Sequence, residues 1–114
     1  MGLIYKILAR SAWDEALATG CLVGSAVDLA DGFIHFSTGA QAQATARLHF
    51  AGAADLVLLC VEISGLGDAL RWESAREGEM FPHLYRALAV TEVMEARPAP
   101  PRPDGSVDLG DLTR

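Results

Sequence analysis

Lysine is nearly missing from this chain. Lys6 is the only one, and basic residues number 9 against 15 acidic ones, for a net charge of −6. No Lys/Arg cluster stands anywhere along the sequence. Nucleic-acid binding rests mainly on cations that neutralise phosphates, so DNA or RNA is not an expected partner. Cysteine is scarce too. Cys21 and Cys60 form no C-x-x-C pair and are too few for a disulfide framework. Cys60 lies in the apolar run Leu56–Val61 and reads as a core thiol. No apolar run approaches the roughly 20 residues of a membrane span, so no membrane is expected. The first residues carry no secretory leader pattern, and Lys6 stands where a myristoylation signal needs Ser or Thr. The expected address is cytoplasmic. G-x-G-x-x-G, P-loop, H-E-x-x-H and G-x-S-x-G strings are all absent, which removes the usual nucleotide, zinc-protease and serine-hydrolase signatures.

What is present suits a folded globule. The 114 residues suggest one domain, and 51% hydrophobic content can fill its core. Leu3 to Leu8 reads as a first strand. Ser11 is the expected N-cap of a short helix carrying Trp13, Ala16 and Leu17 on one face and ending at Gly20. Cys21 to Gly32 reads as a loop and Phe33 to Phe36 as a second strand. Thr38 with Gln41 forms a capping box opening an Ala-rich helix, with Ala40, Ala44 and Leu48 expected on one face. Asp55 to Ile63 is a central strand buried on both faces, Leu70 to Ser74 a short strand, and Arg86 to Glu95 a last one. From Arg97 the sequence turns Pro-rich, which predicts an extended exit and a surface tail over 97–114 beyond a domain of residues 1–96. The order strand–helix–strand–helix–strand–strand–strand predicts α+β, with a mixed, mostly antiparallel sheet.

Two segments share a layout. Phe33-Ile34-His35-Phe36-Ser37 and Phe81-Pro82-His83-Leu84-Tyr85 each read Phe, any, His, any, hydroxyl. Alternate residues of an extended chain share a face, so each segment can present a ring, an imidazole and a hydroxyl together. Two such strips could line one polar-aromatic pocket, with His35 and His83 within reach of a common ligand. Glu73 could add a carboxylate, binding a ribose hydroxyl or acting as acid or base. The structural alternatives stand beside these readings. His35 could be a core histidine, Phe81–Tyr85 a rigid turn, and Arg71 with Glu73 a solvated face. The pocket reading expects His83 and Glu73 to be partly exposed. His35, His83, Glu73, Asp28 and Asp31 offer metal-ligating atoms, but no ligand spacing supports a metal, and none is expected.

Ile4-Tyr5-Lys6-Ile7, Trp13 with Ala16 and Gly20, Gly24-Ser25 with Asp28, Asp31 to Ser37 with Gln41, Trp72-Glu73 and Phe81 to Tyr85 together resemble the bacterial "domain of unknown function 952" family. The resemblance spans about residues 3–95, with one departure at Arg86, where the family more often has glycine. In fold that family is similar to ADP-ribosyltransferase-like domains, including RNA 2′-phosphotransferases. The similarity implies a cleft around a nicotinamide dinucleotide such as NAD. Catalytic roles would then fall to Glu73, His35 and His83, and ligand-binding roles to Tyr5, Lys6, Ser37 and Tyr85. The usual His-Gly-Thr string is replaced by Tyr5-Lys6-Ile7, and the phosphate-holding arginine array is missing. The expected function is binding of a nucleotide-like or anionic small molecule, with glycosyl or phosphoryl transfer as the candidate chemistry. A non-catalytic ligand-sensing or interaction domain and a metal-assisted hydrolase are the alternatives.

Overall fold

The computed structural model describes residues 2–112. In chain order its elements are β1 (Leu3–Ala9), α1 (Arg10–Thr19), β2 (Cys21–Leu22), α2 (Ala26–Asp31), β3 (Ile34–His35), β4 (Ser37–Thr38), α3 (Gly39–His49), β5 (Leu56–Glu62), β6 (Leu70–Ser74), β7 (Met80–Leu84), β8 (Leu88–Ala89) and β9 (Val93–Ala99). Three antiparallel sheets result, with strand orders β4-β1-β5-β9, β3-β7-β6 and β2-β8. No strand pair among the described residues is parallel. The architecture is α+β.

The apolar run of β5 pairs along all of β1, from Leu3 opposite Glu62 to Ala9 opposite Leu56. Because side chains alternate, this pair feeds two cores. One face carries Ile4, Leu8, Val57, Leu59 and Val61 against Trp13 and Ala16 of α1 and against Ile34, Phe36 and Leu84. The other carries Tyr5, Ile7, Leu58 and Cys60 against Ala42 and Ala46 of α3 and against Val107 and Leu109. Among the described residues no helix is long and apolar enough to cross a membrane.

Several local expectations are corrected. Helix α1 begins at Arg10 directly from β1, with Ala9 as N-cap, so Ser11 lies inside the helix. The Arg10 N–H donates to the Asp55 carbonyl at 2.9 Å, which satisfies one of the donors left open at the helix start. Within the expected loop 21–32 the chain forms β2 and α2. Helix α2 is opened by a capping box between Ser25 and Asp28 and closed by Gly32. In α3 the inward residues are Ala42 and Ala46, while Leu48 is exposed. The last expected strand is split into β8, a 3₁₀ turn at Val90–Glu92, and β9.

The segment from Arg97 is not a loose exit. It completes β9, an edge strand of its sheet, where Pro98 costs no ladder bond on the open side. The chain then bends through a Pro101–Val107 bridge and returns to seal the second core with Val107 and Leu109, each 1% exposed. The reason is apolar content: Val107 and Leu109 join Ala42 and Ala46 in the second core. Residues 113 and 114 lie outside the described residues.

Candidate functional site

Strand β3 and the centre of β7 lie side by side, with His35 paired to His83 and Ile34 to Leu84. The two imidazole centroids are 5.4 Å apart. Pro82 interrupts this pairing. Its carbonyl accepts from the Phe36 N–H at 3.0 Å, but it has no N–H to return. There the chain leaves β7 and joins β1 as β4, Ser37 pairing with Tyr5.

Around His35 stands a charged cluster. The Lys6 ammonium, on a buried stretch of β1, donates to Asp28 Oδ2 at 3.0 Å and to the His35 carbonyl at 3.0 Å. Asp28 also accepts from the Ser25 N–H (2.9 Å) and the His35 N–H (3.1 Å). Its Oδ1 lies 2.6 Å from His35 Nδ1, and Asp31 Oδ2 lies 2.9 Å from His35 Nε2. Burial pushes the Asp28 carboxyl up, but the Lys6 charge and the donors from Ser25, His35 and Lys6 outweigh it and hold it below the usual carboxylate range. Burial lowers Lys6 from its ordinary value, with Asp28 opposing. Lys6 is therefore no free cation, and both ring nitrogens of His35 lie beside carboxylates of this cluster.

His83 has a different setting. Nδ1 lies 2.8 Å from Glu73 Oε1, on neighbouring β6, and that same oxygen accepts from the Tyr85 hydroxyl at 2.7 Å. These hydrogen bonds, Tyr85's first and His83's second, lower the Glu73 carboxyl. The bond to Glu73 raises the Tyr85 phenol. Phe33 stacks on the imidazole with centroids 4.1 Å apart and planes 24° apart, and Arg71 lies over the Tyr85 ring at 5.0 Å. With Nδ1–H donating to a carboxylate, the neutral ring carries its lone pair on Nε2. Among the described residues Nε2 has no hydrogen-bond partner. His83 is only 5% exposed, which corrects the expectation of a partly exposed side chain.

The space that His83 meets is a cleft of about 710 Å³ between α2 and α3. Strand β4 is two residues long and pairs only with Ile4 and Tyr5, so beyond Tyr5 no described strand covers that edge of β1. Tyr5, Lys6, His35, Ser37 and His83 all line the cleft, together with Thr45, His49, Arg76 and Phe81. The other two candidate residues do not. Glu73 stands behind His83, and Tyr85 faces a separate depression of about 180 Å³ with Asp28, Phe33 and Arg86. Arg86 itself is clamped to Glu92 by two hydrogen bonds of 2.9 and 2.8 Å. The Tyr5 hydroxyl donates to the Leu112 carbonyl at 3.0 Å, leaving its ring as cleft wall. Ser37 Oγ lies 2.9 Å from Thr45 Oγ1.

Sequence reasoning missed the hub role of Asp28 and the presence of Arg76 and Thr45. The Ser25-x-x-Asp28 box was the signal for the first. No local signal marks Arg76, which enters the cleft only because a turn at 76–78 returns the chain from β6 to β7. Among the described residues no three or more His, Cys, Asp or Glu side chains are grouped to hold a metal ion.

The model of a family described as "Protein of unknown function (DUF952)" matches residues 7–96. The X-ray crystal structure of protein CC0527 from Caulobacter crescentus is 57% identical, with a TM-score of 0.92 and 96% of each chain covered. The solution NMR structure of CC0527 is 56% identical, with a TM-score of 0.85, 96% of this chain and 93% of that one being covered. Among curated proteins nothing matches.

Proposed function

The chain belongs to this family of unknown function, and we propose that it binds a nucleotide-like, anionic small molecule in the cleft, with His83 as its proton-transfer group. The observation that carries the reading is the Glu73–His83 pair. A carboxylate fixes Nδ1, aromatic stacking fixes the ring, and Nε2 is left for whatever enters the cleft. This is the arrangement general acid–base catalysis requires. Glu73 is then a positioning residue, in place of the ribose-binding or acid–base role expected from sequence.

The scaffold we infer is ADP-ribosyltransferase-like, with NAD or ADP-ribose as the leading ligand candidates. It is supported by an uncovered first-strand edge at Lys6, a strand-to-helix junction bearing His35 and Ser37, and a carboxylate on a later strand. The chemistry is glycosyl or phosphoryl transfer. His83 Nε2 takes the proton of an attacking hydroxyl, the oxygen bonds to the anomeric carbon or phosphorus, and the leaving group departs with the bonding electron pair.

A thermal-shift screen of NAD, ADP-ribose, nucleotides and sugar phosphates tests the reading. A ligand at 100 times its Kd adds about 2.7 kcal/mol of stability. A positive hit should turn over in the native protein and not in His83→Asn. Asn keeps a donor near the Nδ1 position and has nothing at Nε2. The absence of any stabilising ligand from these classes would sink the proposal. Binding without turnover would favour the sensing domain.

A further inference from the structure

Arg76 is a cation without an acid. In this acidic chain Lys6, Arg10, Arg86, Arg97 and Arg102 each face a carboxylate within 4 Å, and among the described residues Arg47, Arg71 and Arg76 do not, of which Arg76 lines the cleft. Among the described residues no carboxylate lies within ion-pairing distance of Arg76, although it is half-buried and lines the cleft. It is also held in place. Its guanidinium lies 4.8 Å over the Phe81 ring, and one terminal nitrogen donates to Thr45 Oγ1 at 3.4 Å. The turn that carries it places Glu77 at φ 55 and Gly78 at φ 77. A non-glycine residue in the left-handed region is a local cost tolerated where the surroundings fix it, and such residues gather at ligand sites. The Ala75 N–H closes the turn on the Glu79 carbonyl at 2.9 Å.

The hydroxyls beneath Arg76 are arranged to donate. Thr45 Oγ1 accepts from Arg76 and shares one proton with Ser37 Oγ. Whichever of the two hydroxyls donates to the other, the second keeps its proton for a third group. Ser37, Thr45 and His49 line the same cleft as Arg76. A planar guanidinium with spare N–H groups and a free hydroxyl proton fit the oxygens of a tetrahedral oxyanion.

From this we infer that Arg76 and Thr45, with Ser37, form the seat of a phosphoryl group, so the cleft takes phosphorylated small molecules with the phosphate at the Arg76 end and the reacting group at His83. The inference deepens the cleft reading above and rests on it for the reacting end only.

Inorganic phosphate is the direct probe. Titrated into the ¹⁵N-labelled full chain, it should shift the amides of Thr45, Ala75, Arg76 and Gly78 saturably in the millimolar range. Binding should weaken about tenfold or more in Arg76→Gln and in Thr45→Val, the loss expected for a charge-assisted contact and its partner. His83→Asn should leave phosphate affinity within about twofold, since a change below that is a negligible free energy. Saturable shifts elsewhere, none at all, or unchanged affinity in a folded Arg76→Gln would overturn the seat. Adenosine, which has no phosphate, probes the His83 end by itself. Adenosine binding without phosphate binding removes the seat and keeps the cleft reading. Phosphate binding at Arg76 with no response to adenosine or ADP-ribose keeps the seat and removes that reading.

Discussion

At the scale of single residues, Asp28 carries more of the site than its size suggests. It is buried, faces Lys6 and holds both the backbone and the ring of His35. Asp28→Ala would leave Lys6 buried without its carboxylate, and should cost about 3–5 kcal/mol in denaturant unfolding. The pH dependence has a definite sign. The Asp28 carboxyl lies below its ordinary 3.8 in the folded chain. Its contribution is therefore complete above the unfolded value and disappears as pH falls through the lower, folded one. Asp28→Asn should flatten that acid limb, measured as stability against pH. An unchanged limb would mean that other carboxylates govern acid unfolding. His83 calls for a different substitution. His83→Ala removes a ring that is buried and stacked, and should cost about 1–3 kcal/mol, so loss of activity in that variant could reflect folding. His83→Asn separates the two. It should stay folded, with Glu73 still engaged, and lose only what Nε2 does. The paired Phe-x-His-x-hydroxyl layout was legible from residue types alone and led to two neighbouring imidazoles. Exposure was not legible, because whether His83 is covered depends on Phe33, 50 positions away in the chain.

At the scale of elements, the site is assembled by short pieces. Helix α2 has only six residues, and its capping box does double duty: Asp28 caps the helix through the Ser25 N–H and binds Lys6 and His35 with the same carboxylate. Gly24 makes the approach possible. Its φ is 108, and a Cβ there would stand 2.6 Å from the Cβ of Asp28. Gly24→Ala should therefore cost at least about 1–2 kcal/mol from the backbone conformation alone. It should also displace Asp28 and weaken ligand binding in the same variant, as read by unfolding and titration together. Gly32→Ala is the control, because a Cβ at Gly32 meets nothing within 4 Å. It should lose stability through φ without disturbing the cleft. The long elements β1, α3 and β5 were readable from apolar runs and caps. Helix α2 was not, since six residues carry too little periodicity to stand out from a loop. Nor was the division of Phe33–Thr38 between two sheets, which is set by the missing N–H of Pro82 on another strand.

At the scale of the whole molecule, one strand pair supports two cores and the cleft opens at its uncovered edge. Leu58, fully buried in β5, belongs to the second core. Leu58→Ala should cost about 2–5 kcal/mol through the cavity it leaves, without changing the chemistry of His83. Truncation after Ala99 should destabilise the fold as well, because Val107 and Leu109 would no longer cover Ala42 and Ala46. A truncated chain with unchanged stability would show that the tail adds nothing to that core. The Pro-rich composition pointed to an extended segment, which it is. Composition carried no information on the docking of that segment, which comes from Val107 and Leu109 meeting a helix face made only of alanines. The central claim, that His83 is held by Glu73 with Nε2 open to a cleft ligand, is most directly tested by ¹⁵N NMR of the histidine side chains. In its neutral form the His83 ring of the free protein should carry its proton on Nδ1, and only Nε2 should shift as ADP-ribose is added. A proton on Nε2 in the neutral ring, or a His83 signal unmoved by saturating ADP-ribose, would contradict the account.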